Sequence, residues 1–271
     1  MSAVAPWIHI ILAYASFFVI AILASRLARR VGADMHDMQK RSASRMVLLG
    51  AGANLLALLV VLMLLIFLDG KPISALGLTF NARDAAASFG GLAATFLLAA
   101  GFVALLRRAG RLEQVKLVRP TAASGSAAGM GMTLTVLLVV VLQEEVLSRG
   151  YVTLNLIPYG AVVVVAASVT FFTVMHFLTN RVNRYQLVSW LVSAILLIVA
   201  YLLSGSIWVP IVLHYATDAT NLLVFNITGQ YSLVKTTPGL SEQQRSVFRV
   251  MYGVVITFIL VAIYGPKFAF T

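Results

Sequence analysis

The chain contains no cysteine and few acids, with 9 Asp and Glu against 20 Lys and Arg in 271 residues. Without cysteine, disulfides, thiolate nucleophiles and Cys-ligated metals are excluded. Charge of either sign is scarce, at 11% of residues against 61% hydrophobic, a balance that excludes an ordinary soluble domain and points to a polytopic membrane protein. A net charge of +11 would suggest nucleic acid in a soluble protein. Here the basic residues fall between apolar runs, where orientation in a bilayer needs them, so the expected partner is lipid and no nucleic acid is expected. The sequence also lacks HExxH, Gly-x-Ser-Gly and Gly-x-Gly-Asp, the local motifs of zincin, serine and aspartyl chemistry.

What is present is a series of eight apolar segments of roughly spanning length, at 7–24, 46–68, 85–106, 134–157, 159–178, 187–203, 207–225 and 250–265. The expected fold class is therefore all-α, a polytopic membrane protein of about eight transmembrane helices. The basic residues Arg26, Arg29 and Arg30 follow the first run instead of preceding it, unlike a signal peptide, so this segment is expected to stay on the mature protein. Sixteen of the 20 Lys and Arg fall in one set of alternating loops and three in the other. By the positive-inside rule, both termini are expected outside the cell membrane and the basic loops in the cytoplasm. The Gly/Ser-rich stretch 121–131 reads as a lead-in to the fourth helix, and no internal repeat is seen.

Ionisable residues inside spans carry the functional information, because a carboxylate at the bilayer centre costs about 2.5–3.5 kcal/mol on insertion scales. Only Glu144, Glu145 and Asp218 among the acids lie within apolar runs, together with Arg149, His176 and His214. His9 and His36 read as incidental. Glu145 and Arg149, at i and i+4, form a local ion pair on one helix face and read as structural, with Glu145 alternatively a second site carboxylate, which leaves Glu144 over. At about 1.5 Å per residue, Glu144 lies roughly 15 Å from the cytoplasmic start of span four. In span seven, His214 and Asp218 lie about 10 and 16 Å from the outer side. His176 falls nearer the cytoplasmic end of span five, so a common site leans to the cytoplasmic half. Phe172 is one turn before His176 and packs beside it; Asn221 continues the face of His214 and Asp218.

These residues resemble a family. EEVLSR at 144–149 matches an EExxxR signature, FTVMH at 172–176 matches FxxxH, and HYATD at 214–218 matches Hxxx(N/D). In that order, on separate spans, they are similar to the CAAX protease and bacteriocin-processing family, intramembrane endopeptidases related to the type II CAAX prenyl endopeptidase, or Ras-converting enzyme. ISALGL at 73–78 also looks like a short sequence found ahead of the core in bacterial members. The resemblance implies a catalytic core over 127–226 (spans four to seven), preceded by three helices with basic loops over 1–126 and followed by a loop and final helix over 227–271.

It further implies that Glu144 activates a water, that His176 helps hold or deprotonate it, and that His214 and Asp218 stabilise the oxyanion. Ras-converting enzymes commonly have Asn at the last position. An ionised Asp cannot donate a hydrogen bond, so Asp218 is either protonated, or orients His214, or leaves the donor role to Asn221. A metal-independent mechanism with no cofactor is favoured. The alternative is zinc or another divalent metal held by Glu144, His176 and His214.

The activity expected is hydrolysis of a peptide bond in a small or membrane-attached protein. CAAX processing as such is implied by the resemblance only. Rival readings are an ion- or proton-coupled transporter using the same groups as a relay, and a non-catalytic scaffold or immunity protein of the same fold.

Overall fold

The computed structural model describes residues 5–30, 43–118, 127–179, 182–225 and 232–270. His36, Arg119, Arg181 and the 121–126 part of the Gly/Ser-rich lead-in lie outside the described residues. The fold is a helical bundle: α1 (Ala5–Arg30), α2 (Ala43–Met63), α3 (Ala82–Arg108), α4 (Ala127–Glu145), α5 (Val152–Leu156), α6 (Ala161–Thr179), α7 (Arg184–Ser204), α8 (Trp208–Leu223) and α9 (Glu242–Tyr264). A π-helical segment, Val146–Tyr151, joins α4 to α5, so that Ala127–Tyr159 is one long helical unit.

Among the described residues, seven helical units are long and apolar enough to cross a membrane, and their outward faces carry large apolar side chains such as Phe67, Leu97, Val162 and Phe258, each more than 70% exposed. Apolar exposure on that scale matches a lipid solvent. The eighth expected span, α8, has 16 residues, about 24 Å of helix. It is sheltered by its neighbours, packing on α3, α4 and α7, with most of its side chains buried. Close approach to α3 is made at Gly91, where a Cβ would sit 2.3 Å from Leu213 Cδ2.

Several helices begin before their apolar run does, because their first turns are closed by capping boxes. The Asn183 side chain accepts from the backbone of Tyr185 and Gln186, while the Gln186 side chain accepts from the Asn183 N–H. Ser241 with Gln244 and Asn81 with Asp84 do the same for α9 and α3. Arg245 and Arg249, expected in a loop, consequently stand on the first turns of α9.

The ends of the bundle are tied in two groups. At one end, β1 (Gln114–Leu117) pairs antiparallel with β2 (Val234–Thr237), Gln114 opposite Thr237 and Leu117 opposite Val234. This small ribbon joins the connection after α3 to the one before α9 and is an element the all-helical expectation did not include. At the other end, residues 73–78 are clamped against the entry to α8. The Ile207 N–H donates to Gly77 O, the Tyr201 hydroxyl to Leu76 O, the Ser206 hydroxyl to Thr79 O and the Trp208 indole to Leu78 O. Gly77 adopts φ +71°, and a Cβ there would lie 2.0 Å from Gly205 O, so only glycine fits the clamp. The same end holds His9, which contacts Asp69 Oδ1 at 2.6 Å, and Ala269, whose N–H reaches Leu202 O.

Candidate active site

The polar residues of α4, α6 and α8 converge inside the bundle. Glu144 stands near the middle of the unit Ala127–Tyr159, about 26 Å along the helix from its start at 1.5 Å per residue, since the helix begins seven residues before its apolar run. Its Oε2 lies 4.0 Å from His176 Nε2 and 3.8 Å from His214 Nε2. His214 Nε2 is also 3.6 Å from Asp218 Oδ2. Glu144, His176 and Asp218 keep side-chain exposures of 14, 17 and 30%, so the cluster faces an accessible recess. Glu145 and Arg149 are wholly sealed.

Hydrogen bonding fixes how the imidazoles are presented. His176 Nδ1 is 3.0 Å from Phe172 O; a carbonyl only accepts, so Nδ1 carries the hydrogen and neutral His176 turns a lone pair at Nε2 toward Glu144. His214 Nδ1 is 2.7 Å from Glu145 Oε1 and donates to that carboxylate. His214 Nε2 therefore donates toward the recess only when the ring is an imidazolium.

Glu145 does more than the sequence suggested. One oxygen holds His214; the other is 3.2 Å from Arg149 Nε, without the alignment of a hydrogen bond. The π-helical segment between the two residues departs from regular i, i+4 geometry. The Arg149 guanidinium instead lies over the Phe172 ring, 4.2 Å from its centroid, a cation–π contact worth about 2 kcal/mol when desolvated. Phe172 thus serves several groups: its face carries Arg149, its carbonyl orients His176, and its ring lies tilted 4.3 Å from the His176 ring and edge-on 6.1 Å from the His214 ring.

Other contributors escaped the sequence reading. The π-helical geometry disrupts the regular backbone ladder, and the Ser168 hydroxyl of α6 donates to Ser148 O at 2.7 Å, while the Tyr14 hydroxyl of α1 donates to Ser148 Oγ at 2.9 Å. Trp190 of α7 flanks His176, ring centroids 5.2 Å apart. Asn221 is buried and lines a cleft beside the cluster, and among the described residues it makes no contact with the carboxylate–imidazole group. Nor, among the described residues, is any group of three or more His, Asp or Glu side chains placed to hold a metal ion.

An acid and two imidazoles around one accessible point form the constellation that activates water for hydrolysis. Residues 126–220 match the family model described as type II CAAX prenyl endopeptidase Rce1-like. Over these residues the chain is similar to the Rce1-like family. The matched stretch contains Glu144, Glu145, Arg149, Phe172, His176, His214 and Asp218, and the family is one of membrane proteases. No curated protein and no solved structure matches the chain. The Rce1-like segment lies within a multi-pass helical bundle, which fits a membrane protein with the bilayer as its environment.

Proposed function

We propose that this protein is an intramembrane endopeptidase that uses Glu144 to activate water without a metal or cofactor. The observation that carries the reading is the placement of Glu144 Oε2 4.0 Å from His176 Nε2 and 3.8 Å from His214 Nε2. A single water donates one of its hydrogens to Glu144 and its other hydrogen to the His176 Nε2 lone pair, leaving its oxygen free to attack a carbonyl. Glu144 takes the first proton and later delivers it to the leaving amine. His214, as imidazolium, donates from Nε2 to the oxyanion. Asp218, beside that nitrogen, acts as a positioning residue that keeps His214 charged, so the oxyanion role passes from Asp218 to His214 alone. Asn221 belongs to the substrate cleft. The core of this activity is the unit 127–226, with 1–126 and 227–271 supporting it. The membrane is the cell membrane, with both termini outside and the recess in the cytoplasmic half. Substrates are small or membrane-attached precursor proteins; CAAX-type processing is the family's version of this reaction.

The test is cleavage of a mass-resolved pool of membrane-attached precursor peptides by the full chain in liposomes, with and without a divalent-metal chelator. Cleavage that survives the chelator and is lost in Glu144→Gln is expected; a Glu144→Gln protein that cleaves like the parent overturns the proposal. Ion flux in the same liposomes, lost in Glu144→Gln without any cleavage, would point to transport instead.

A further inference from the structure

A second cavity lies at the ribbon end of the bundle and shares no residue with the catalytic cluster. It is a groove of about 710 Å³ between α3, the β1–β2 ribbon and Val224 at the end of α8. Its α3 wall is a single stripe. Phe96, Ala100, Val103 and Arg107 recur at helical spacing, so the apolar wall ends in a charge. Ala100 and Ala104 are small and exposed, which leaves the space between helix and ribbon open. The ribbon supplies the facing wall by alternation. Leu117 stands opposite Val234 and both line the groove with Val115, while Lys116 and Lys235, opposite each other, take the other face. Leu117 is 87% exposed, an exposure suited to lipid and not to water.

Two guanidiniums close the groove. Arg107 and Arg108 line it from the last turn of α3, and both are exposed. Neither has an ion pair among the described residues, and Glu113, the acid nearest in sequence, pairs with neither. From Phe96 to Arg107 the stripe runs about 16 Å at 1.5 Å per residue. That matches one leaflet, half of a hydrocarbon core about 30 Å thick. The ligand that fits has an apolar chain of leaflet length and an anionic head.

We propose that this groove is a binding site for an anionic phospholipid, with one acyl chain along the α3 stripe and the phosphate between Arg107 and Arg108. Guanidiniums hold phosphate oxygens through paired N–H donors, and basic pockets beside transmembrane helices select anionic headgroups. A zwitterionic headgroup brings its own cation and leaves the charge of the arginine pair in place. Free phosphate would occupy the mouth alone and leave the apolar wall uncovered. The site does not depend on the hydrolytic reading, and a protein without any cleavage would keep it.

The experiment is native mass spectrometry of the full chain released from nanodiscs of mixed phosphatidylcholine and phosphatidylglycerol. The parent is expected to retain phosphatidylglycerol in preference to phosphatidylcholine. A protein carrying both Arg107→Gln and Arg108→Gln should hold it at least about tenfold less tightly. Lys116→Gln with Lys235→Gln removes the same charge from the other face of the ribbon and should leave retention unchanged, which separates a built site from general attraction to a basic surface. Ala104→Phe fills the groove and should lower retention with both arginines in place. Every substituted position is exposed, so the variants should elute from size exclusion and unfold like the parent. Excess glycerol phosphate should not displace the lipid. Equal retention of the two lipids, equal loss in the arginine and lysine pairs, parental retention in Ala104→Phe, or displacement by glycerol phosphate would each overturn the proposal.

Discussion

The link from Glu145 to both His214 and Arg149 makes a double substitution behave differently from the sum of its parts. Both members of the ion pair are completely buried. Arg149→Met leaves Glu145 with His214 as its counter-charge, while Glu145→Gln leaves the Arg149 guanidinium with the Phe172 face and no carboxylate. Removing one partner of a buried pair costs about 3–5 kcal/mol, because the remaining charge is stranded in a medium that cannot solvate it. Replacing both, Glu145→Gln with Arg149→Met, strands neither. The double variant is therefore expected to be more stable than Glu145→Gln alone, with an interaction energy of about 1–3 kcal/mol in the cycle. Unfolding in mixed micelles measures it. Activity should follow a different order. The Glu145 carboxylate holds the His214 ring through Nδ1, so turnover should fall about 100-fold or more in both Glu145→Gln and the double variant, the scale of a lost oxyanion donor. Strict additivity of the stabilities, or activity restored together with stability in the double variant, would refute the argument.

Three further outcomes follow from the contacts. Ser168→Ala removes the donor to Ser148 O inside the π-helical segment and should cost about 1–3 kcal/mol, the penalty of an unpaired buried carbonyl, as a lower unfolding midpoint. Gly77→Ala places a methyl group against Gly205 O at a left-handed backbone position and should unseat the clamp on α8, seen as loss of folded protein on size-exclusion chromatography, while Gly110→Ala, also left-handed but with open space around it, should cost only about 1 kcal/mol. Phe172→Leu keeps the carbonyl that orients His176 but removes the face under Arg149, and should lower stability by about 1–3 kcal/mol with a smaller effect on turnover than Glu145→Gln.

The residues that converge on the recess were legible because a charge in an apolar helix is expensive wherever it occurs. Glu144, His176, His214 and Asp218 stood out one by one against their spans, before any contact between them was known. The helix starts were legible too in principle, since Asn183-to-Gln186 and Ser241-to-Gln244 are capping-box patterns; hydropathy alone drew the spans too short and left Arg249 in a loop, away from the cleft it lines. The orientation of the imidazoles was not legible. It depends on Phe172 offering a carbonyl and on Glu145 turning one oxygen across to another helix, which are tertiary relations. The seat of Arg149 over Phe172 was hidden for the same reason, since i, i+4 spacing predicts a regular helical pair and the chain has a π-helical segment there. The β1–β2 ribbon joins two short segments more than 100 residues apart, neither of which has enough alternation to declare itself a strand.

The central claim is that Glu144 and His176 act on one water, and the kinetics of two single variants and their combination test it directly. Groups that serve the same step are non-additive: once one is gone, removing the other costs little more. On a peptide the parent cleaves, Glu144→Gln and His176→Ala should each reduce kcat/KM by about 100-fold or more, and the double variant should be no slower than the slower single. Multiplicative losses, or a Glu144→Gln protein with near-parental kcat/KM, would contradict the shared water.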